Sequence, residues 1–325
     1  MPIRHATLHQ LRVFDALARH QSVTRAAREL HLSPPAVSIQ CRQLAEAIGL
    51  PLYEQVGRRL RLTAAGERVS RTCRDVLDRL DQAAQELASM QGLECGRLRL
   101  AILTTAKYFG PRLLGMFSRE HPNIDVALFV GNREQLLERL AGNRDDIYLV
   151  GQPPERLRVV AEPFAENRLV LIAASDHPLV GEKKIAPAQL DGLPFILREE
   201  GSGTRLAAER FFEGHGIRPR TRMELGSNEA IKQTVASGLG VAVLSESTLQ
   251  AERSAGELVP LDVEGFPLRG HWYLVHPGGR ELSAPAAAFR EFLFAMAEKV
   301  DLASGQLGQA HFPDTEMMNT ATKLD

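Results

Sequence analysis

Three short segments in the later two-thirds of the chain join hydroxyl or amide side chains to a helix start, which is the chemistry of anion capture. Thr104-Thr105 follows an apolar run and precedes a helical pattern; Gly201-Ser202-Gly203-Thr204 opens the pattern containing Phe211; Ser227-Asn228 opens the one containing Ile231. At such a start the first backbone N–H groups lack intrahelical partners and the helix dipole is positive. Lys107, Arg198 and Arg205 stand close by in sequence. Taken singly, each segment also reads as an ordinary N-cap. Their recurrence after successive strands favours a small anionic ligand, because open α/β sheets bind ligands beyond the carboxyl ends of their strands.

A second set of polar residues lies near the amino terminus. Ser33, Pro34, Pro35, Ser38, Gln40, Arg42 and Gln43 form the outward side of a helical pattern whose apolar side is Val37, Cys41, Leu44 and Ile48. Ser33 is placed to cap that helix, and the prolines fall in its first turn, where a missing N–H costs little. Side chains that donate and accept hydrogen bonds on the N-terminal half of a helix suit the reading of base edges; the alternative is a solvated polar face. The next segment weighs against that alternative. Leu52-Tyr53 and Leu60-Arg61-Leu62 flank a turn at Gly57 that carries Arg58 and Arg59, a basic hairpin tip suited to the phosphate backbone beside a groove.

The elements that must position these residues follow from apolar spacing. Leu8, Leu11, Phe14 and Leu17 predict a first helix from about Leu8 to Arg19, and Ser22 caps a short second helix whose buried side is Val23, Ala26, Ala27 and Leu30. Two helices, an outward-reading third helix and a basic hairpin are the parts of a winged helix-turn-helix. From Thr63 to about Gln91 a single helical pattern continues, roughly 45 Å at about 1.5 Å per residue. Its apolar positions, Val69, Cys73, Val76, Leu80, Ala83, Leu87 and Met90, alternate spacings of four and three, which is a coiled-coil seam. Such a seam needs a partner; a second copy of the same helix is favoured over another part of the chain. Cys73 falls in the seam and reads as a packing residue, not a reactive one.

Beyond Gly92 strands alternate with helices. Strands are expected at Arg97–Leu103, Ile124–Val130 and Asp146–Val150, with helices at Phe109–Arg119 and Glu134–Leu140 between them, an order that implies a parallel sheet. A second set runs from Leu169 to Glu246; a strand at Gly270–His276 and a helix at Ala284–Lys299 follow. The tail beyond Asp301 is polar and is expected to be disordered.

Composition narrows the function classes. The 325 residues are 44% hydrophobic, enough for two or three domains. No apolar run reaches about 18 residues and the opening MPIRHATLHQ lacks the apolar centre of a signal peptide, so a cytoplasmic location is expected. The net charge of -1 conceals an asymmetry: through Arg74 there are twelve arginines and five acids, leaving the remainder at -8. A basic block of that size suits contact with phosphates. Cys41, Cys73 and Cys95 form neither a disulfide framework nor a zinc-ligand pair. The ten histidines supply no HExxH pair, no GxSxG elbow is present, and GSGTR lacks the spacing of a phosphate-binding P-loop. No enzyme activity, metal or cofactor is expected, only a small-molecule ligand.

The chain resembles the LysR-type transcriptional regulators. The resemblance rests on Phe14, Ala26-Ala27, Leu30, Ser33, Pro35-Ala36-Val37-Ser38, Gln40, Leu44, Gly49, Pro51-Leu52-Tyr53-Glu54, Arg58-Arg59 and Leu62-Thr63-Ala65-Gly66. Pro34, Cys41 and Ala45 depart from the usual glutamine, aliphatic residue and glutamate. The resemblance implies an α plus α/β fold: an N-terminal winged helix-turn-helix (1–62), a coiled-coil linker helix that dimerises the chain (63–91), and a two-lobed, periplasmic-binding-protein-like effector domain (92–300). Lobe I would comprise about 92–166 and 266–300, and lobe II about 167–265, so that the chain crosses near Glu166 and returns near Gly265. If the lobes close on each other, the three anion-ready segments line one cleft.

The same resemblance implies double-stranded DNA with dyad-symmetric promoter sites as partner, a homodimer to homotetramer assembly, and RNA polymerase as a further contact. Thr104 to Phe117, Asn132 to Glu134 and Gly151 to Pro154 are most similar to the CbbR subgroup, regulators of Calvin-cycle carbon-fixation genes. By that likeness the effector is a phosphorylated metabolite or a nicotinamide nucleotide. Ile147-Tyr148-Leu149-Val150 departs from the subgroup pattern. Regulation of another operon, of amino-acid or aromatic metabolism, is the alternative; a redox sensor would need a partner for Cys95, and a free-standing solute-binding protein would leave the winged module unexplained.

Overall fold

Local capping decides where the first helices begin. Thr7 accepts the Gln10 N–H while Gln10 Oε1 accepts the Thr7 N–H, which starts α1 (Leu8–His20). Ser22 and Ser33 accept the N–H groups of Arg25 and Ala36 and start α2 (Val23–Glu29) and α3 (Pro34–Ile48). The computed structural model describes residues 6–56, 59–90, 95–279 and 281–297. Phe14, Leu17, Ala26, Ala27, Val37, Cys41 and Leu44 form one core, closed by Leu52 at the entry of the hairpin β1 (Tyr53–Val56) and β2 (Arg59–Leu62). Arg58, the side chains of Arg59 and Met90, and the tail lie outside the described residues.

The long helix α4 (Ala64–Met90) starts where Thr63 accepts the Gly66 N–H and donates to the Pro51 carbonyl. A Cβ at Gly66 would stand 1.8 Å from the Leu52 carbonyl oxygen, so only glycine lets α4 cross the hairpin entry this closely. The expected seam divides at this crossing. Val69 and Cys73 are buried in the core of their own chain and have no area left for a partner, which corrects their assignment to a dimer contact. Val76, Leu80 and Leu87 are 37%, 42% and 62% exposed, and Ala83 is exposed as well.

The remainder is built on a seven-stranded sheet and a separate two-stranded parallel one. The strands β3 (Gly96–Leu103), β4 (Ile124–Gly131) and β5 (Ile147–Val150) are parallel in the order β5-β3-β4, connected by α5 (Gly110–Glu120) and α6 (Arg133–Ala141). Next to β5 lie the antiparallel pair β6 (Val159–Ala174) and β11 (Leu268–Pro277). β6 starts well before the expected Leu169, because Glu162, Pro163, Glu166 and Arg168 disguise its first half. Pro163 is tolerated there because the register shifts opposite it, between Trp272 and Tyr273.

Around the far half of β6 sit β7 (Pro194–Arg198), α7 (Gly203–His215), β8 (Arg220–Leu225), α8 (Asn228–Ala236), β9 (Ala242–Ser245), α9 (Gln250–Ala255) and β10 (Leu258–Pro260). The final helix α10 (Ala284–Ala297) returns to β3. Two cores result. Leu100, Phe109, Phe117, Trp272 and Phe289 belong to the first; Leu171, Phe195, Phe211, Phe212 and Val241 to the second. β6 and β11 contribute to both, Phe164 and Trp272 to one and Leu169 and Leu268 to the other, so two lobes are joined by paired strands. No helix among the described residues is long and apolar enough to cross a membrane.

Candidate functional site

The outward side of α3 is shaped by its own capping. Ser33 spends its hydroxyl on the Ala36 N–H, and Ser38 donates to the Pro34 carbonyl at 3.1 Å. Gln10 of α1 donates to Gln43 Oε1 at 3.4 Å, a contact that steadies the two helices relative to each other. Pro34, Pro35, Arg42 and Gln43 are exposed and Gln40 is half-buried at the edge of this face. Between Ser38 and Gln40 the structure adds a residue the polar reading passed over: Ile39 is 50% exposed. An apolar side chain beside hydrogen-bonding ones is what contact with a thymine methyl requires.

Between the lobes lies a cavity of about 380 Å³. Six of the expected residues line it: Thr104, Thr105, Arg198, Ser202, Gly203 and Thr204. Four do not. Arg205 turns to Glu209 and Glu224 at 2.7 and 2.6 Å, and Lys107 pairs with Glu229 at 2.7 Å. Ser227 is an ordinary N-cap that accepts the Ala230 N–H and donates to Glu229, and Asn228 is buried behind the wall. The expectation that all three segments line one cleft is therefore corrected to two.

The Thr104-Thr105 segment also differs from its expected form. A one-turn 3-10 helix (Ala106–Tyr108) follows it, and α5 begins only at Gly110. Pro111 has no N–H to continue a helix from Ala106, which explains the break. Thr104 gives its N–H to the Gly131 carbonyl at 2.9 Å, so its contribution to the cavity is the hydroxyl. At α7 no side chain caps the helix, and its first N–H groups lie beside cavity-lining Ser202, Gly203 and Thr204.

Arg198 is the buried hub of the cleft wall. It donates to both Glu199 oxygens at 2.7 and 2.9 Å, to Asn228 Oδ1 at 2.7 Å and to Thr104 Oγ1 at 3.2 Å. The last bond ties the second lobe to the first. Arg133, the first residue of α6, is different: its Nε is buried without a hydrogen-bond partner, and it packs on the first turn of α7, 3.4 Å from where a Gly203 Cβ would stand. Burial and the neighbouring Arg210 push its pKa below the usual guanidinium range, against a smaller opposing effect of Glu155. This cation is under-compensated beside an uncapped helix start, the setting in which a bound anion gains most.

Asn132, Gln152, Asn167, Arg269, His271 and Tyr273 complete the polar lining, and among the described residues no carboxylate lines the cavity. Asn132-Arg133 carried the strand-then-polar-cap signal in sequence, with Gln135 completing a capping box. Asn167, Arg269 and His271 carried none. They meet because Asn167 pairs with Gly270 across β6 and β11.

A latch spans the lobes at the cleft. Lys107 Nζ and Tyr108 OH each lie 2.7 Å from a Glu229 oxygen. Burial pushes the Glu229 carboxyl up, but the bonds from Lys107 and Tyr108 outweigh it and hold the group at about 2. Because the folded pKa is depressed, this stabilisation is complete above the ordinary value of 4.5 and is lost as pH falls through about 2. Glu229→Gln is expected to flatten the acid side of the thermal-midpoint profile across that window; an unchanged slope would show that the latch does not hold the lobes.

Comparison with known proteins agrees with this geometry. Residues 8–67 match the bacterial regulatory helix-turn-helix protein of the lysR family, and residues 91–298 match the LysR substrate binding domain. The RuBisCO operon transcriptional regulator of Acidithiobacillus ferrooxidans is 61% identical over 91% of this chain and 96% of its own. The regulatory domain of Synechocystis PCC6803 CcmR, solved in complex with 2-PG, is 48% identical with a TM-score of 0.61, covering 62% of this chain and 98% of that one. A full-length OxyR variant of Pseudomonas aeruginosa, 24% identical, shares the fold over 93% of this chain and 98% of its own at a TM-score of 0.73. The winged helix-turn-helix module, the two-lobed domain with its cationic cleft and these matches place the chain in the family of LysR-type transcriptional regulators, DNA-binding proteins and not enzymes.

Proposed function

We propose that this protein regulates carbon-fixation genes in response to a small anionic metabolite held between its lobes. The observation that carries the ligand class is the cavity itself, with Arg133, Arg198 and Arg269 in its wall and no carboxylate among its described lining residues. Two relatives support the pathway and the ligand: one is named for the RuBisCO operon, and the other is a regulatory domain in complex with 2-PG. A phosphorylated metabolite of that kind fits the size and charge of the site.

In this reading residues 1–62 read DNA, 63–91 pair with a second copy, and 92–300 sense the ligand with lobes divided near 166 and 265. Paired modules read a dyad-symmetric site, two such dimers form a tetramer, and the ligand alters how the modules are spaced, with RNA polymerase as the machinery affected. Binding to DNA is constitutive; the arrangement on DNA is what changes.

Gel-shift titration on DNA upstream of carbon-fixation genes tests the reading. A salt-sensitive, sequence-preferring complex at submicromolar protein is expected, and its absence there would remove the assignment. Two variants separate the roles on DNA. Gln40→Ala is expected to change sequence preference, whereas Arg58→Ala weakens all sites alike and flattens the salt dependence. Parallel losses without a change of preference would contradict the division between base and backbone contact.

A further inference from the structure

The helix α4 is tied to the ligand-sensing domain by three of its polar side chains. Arg74 donates to the Gly142 carbonyl, Asp75 accepts from Asn143 Nδ2 at 2.7 Å, and Asp78 accepts from Arg99 Nη1 at 2.9 Å. Arg99 is held in turn by Asp146, beside the first strand of the sheet, at 2.8 Å. Arg74 also reaches the other way. Its Nε donates to Asp15 Oδ1 of α1 at 3.1 Å, and Nη2 donates to Ser70 Oγ at 2.8 Å. Asp15 is buried and the Arg74 side chain is only 14% exposed. One desolvated guanidinium therefore touches the DNA-reading module and the sensing domain at once, where hydrogen bonds count for more than at an exposed rim.

What Gly142 is attached to gives this contact its meaning. Gly142 closes α6, and the residues that open α6 are Asn132 and Arg133 in the wall of the cleft. This helix of nine residues is braced at both ends. Asn132 and Gln135 form a capping box at the start, Arg139 forks onto Asp145 at 2.7 Å near the end, and Leu136 and Leu140 are buried beneath it. A braced helix moves as a unit, so a displacement of Arg133 toward an anion is delivered at the Gly142 carbonyl. A Cβ at Gly142 would stand 2.9 Å from Arg74 Nη1, and glycine is what admits the guanidinium to that carbonyl.

We propose that α6 and Arg74 form an intrachain link through which occupation of the cleft changes the angle at which α1 to α3 meet DNA. Arg74 acts as a positioning residue; it touches neither the cleft nor the outward face of α3. The trigger rests on the anion-binding reading above, whereas the link itself does not.

The test uses the full chain on an operator fragment, with DNA bend measured by circular permutation. Asp75→Ala/Asp78→Ala removes the two acids from α4 at positions where alanine favours the helix and leaves Arg74 on Asp15. This variant is expected to keep half-site affinity, to shift the ligand-free bend, and to lose the bend change that 2-PG causes in the parent. Arg74→Ala is expected to do the same with a lower thermal midpoint, since Asp15 then loses a partner. A ligand-free bend and a 2-PG response both equal to the parent's in both variants would overturn the link. If 2-PG neither binds nor changes the parent, the anion reading fails, and the ligand-free bends of parent and variant decide the link by themselves.

Discussion

Replacing Leu80 with glutamate is expected to lower affinity for a dyad-symmetric operator by about 10²- to 10⁴-fold, the range lost when two linked binding modules become independent. Leu80 is 42% exposed on α4, in line with Val76, Ala83 and Leu87, which are exposed as well. A narrow apolar seam on an otherwise polar helix is stable when it faces a copy of itself. In such a pair the introduced carboxylate would stand close to its symmetry mate, and the desolvation of two like charges would oppose association. The single module should remain folded, because Leu80 lies outside the core that Val69 and Cys73 complete. Sedimentation should show a smaller assembly, and gel shift should show residual half-site binding. A Leu80→Glu protein that keeps the parent's assembly size and operator affinity would refute the seam.

Arg133→Gln is expected to weaken binding of 2-PG by about 10- to 100-fold, as loss of a hydrogen bond from a charged group contributes about 1.5–3 kcal/mol. Its Nε has no partner within the protein, so the substitution leaves no acceptor stranded, and DNA binding should persist. Arg198 makes a poor comparison. Its fork holds Glu199, and its other bonds reach Asn228 and Thr104, so truncation would leave a charge unpaired in the wall, a change that typically costs about 3–5 kcal/mol. Calorimetry on Arg133→Gln separates ligand recognition from folding. Unchanged affinity for 2-PG would place the anion elsewhere in the cavity or outside it.

The parts legible in the sequence are those specified locally. Ser22 and Ser33 as caps, the apolar side of α3 and the pairing of β1 with β2 need only neighbouring residues to be recognised. The parallel strands β3 to β5 were legible for the same reason, each being an apolar run with a helix after it. The seam shows what spacing leaves out: it does not reveal that Gly66 brings Val69 and Cys73 against Leu52 and α1.

The cleft was less legible because its wall is assembled by pairing over long sequence distances. Thr104 and Ser202 announced themselves at element ends, yet Asn167 and Arg269 sit within strands whose register alone brings them to the cavity. Ser227 and Arg205 show the converse error. A polar residue at a helix start, or a cation beside one, is satisfied locally whenever an acceptor such as Glu229 or Glu224 lies nearer than the cavity.

An anion in the cleft is expected to rearrange modules already bound to DNA. Nuclease footprinting of the full-length protein on the upstream region of a carbon-fixation operon, with and without saturating 2-PG, tests this most directly. The footprint should change in length or phase while the protein concentration giving half-occupancy of the primary site stays the same. An identical footprint, at ligand concentrations where calorimetry shows the cleft filled, would contradict the account.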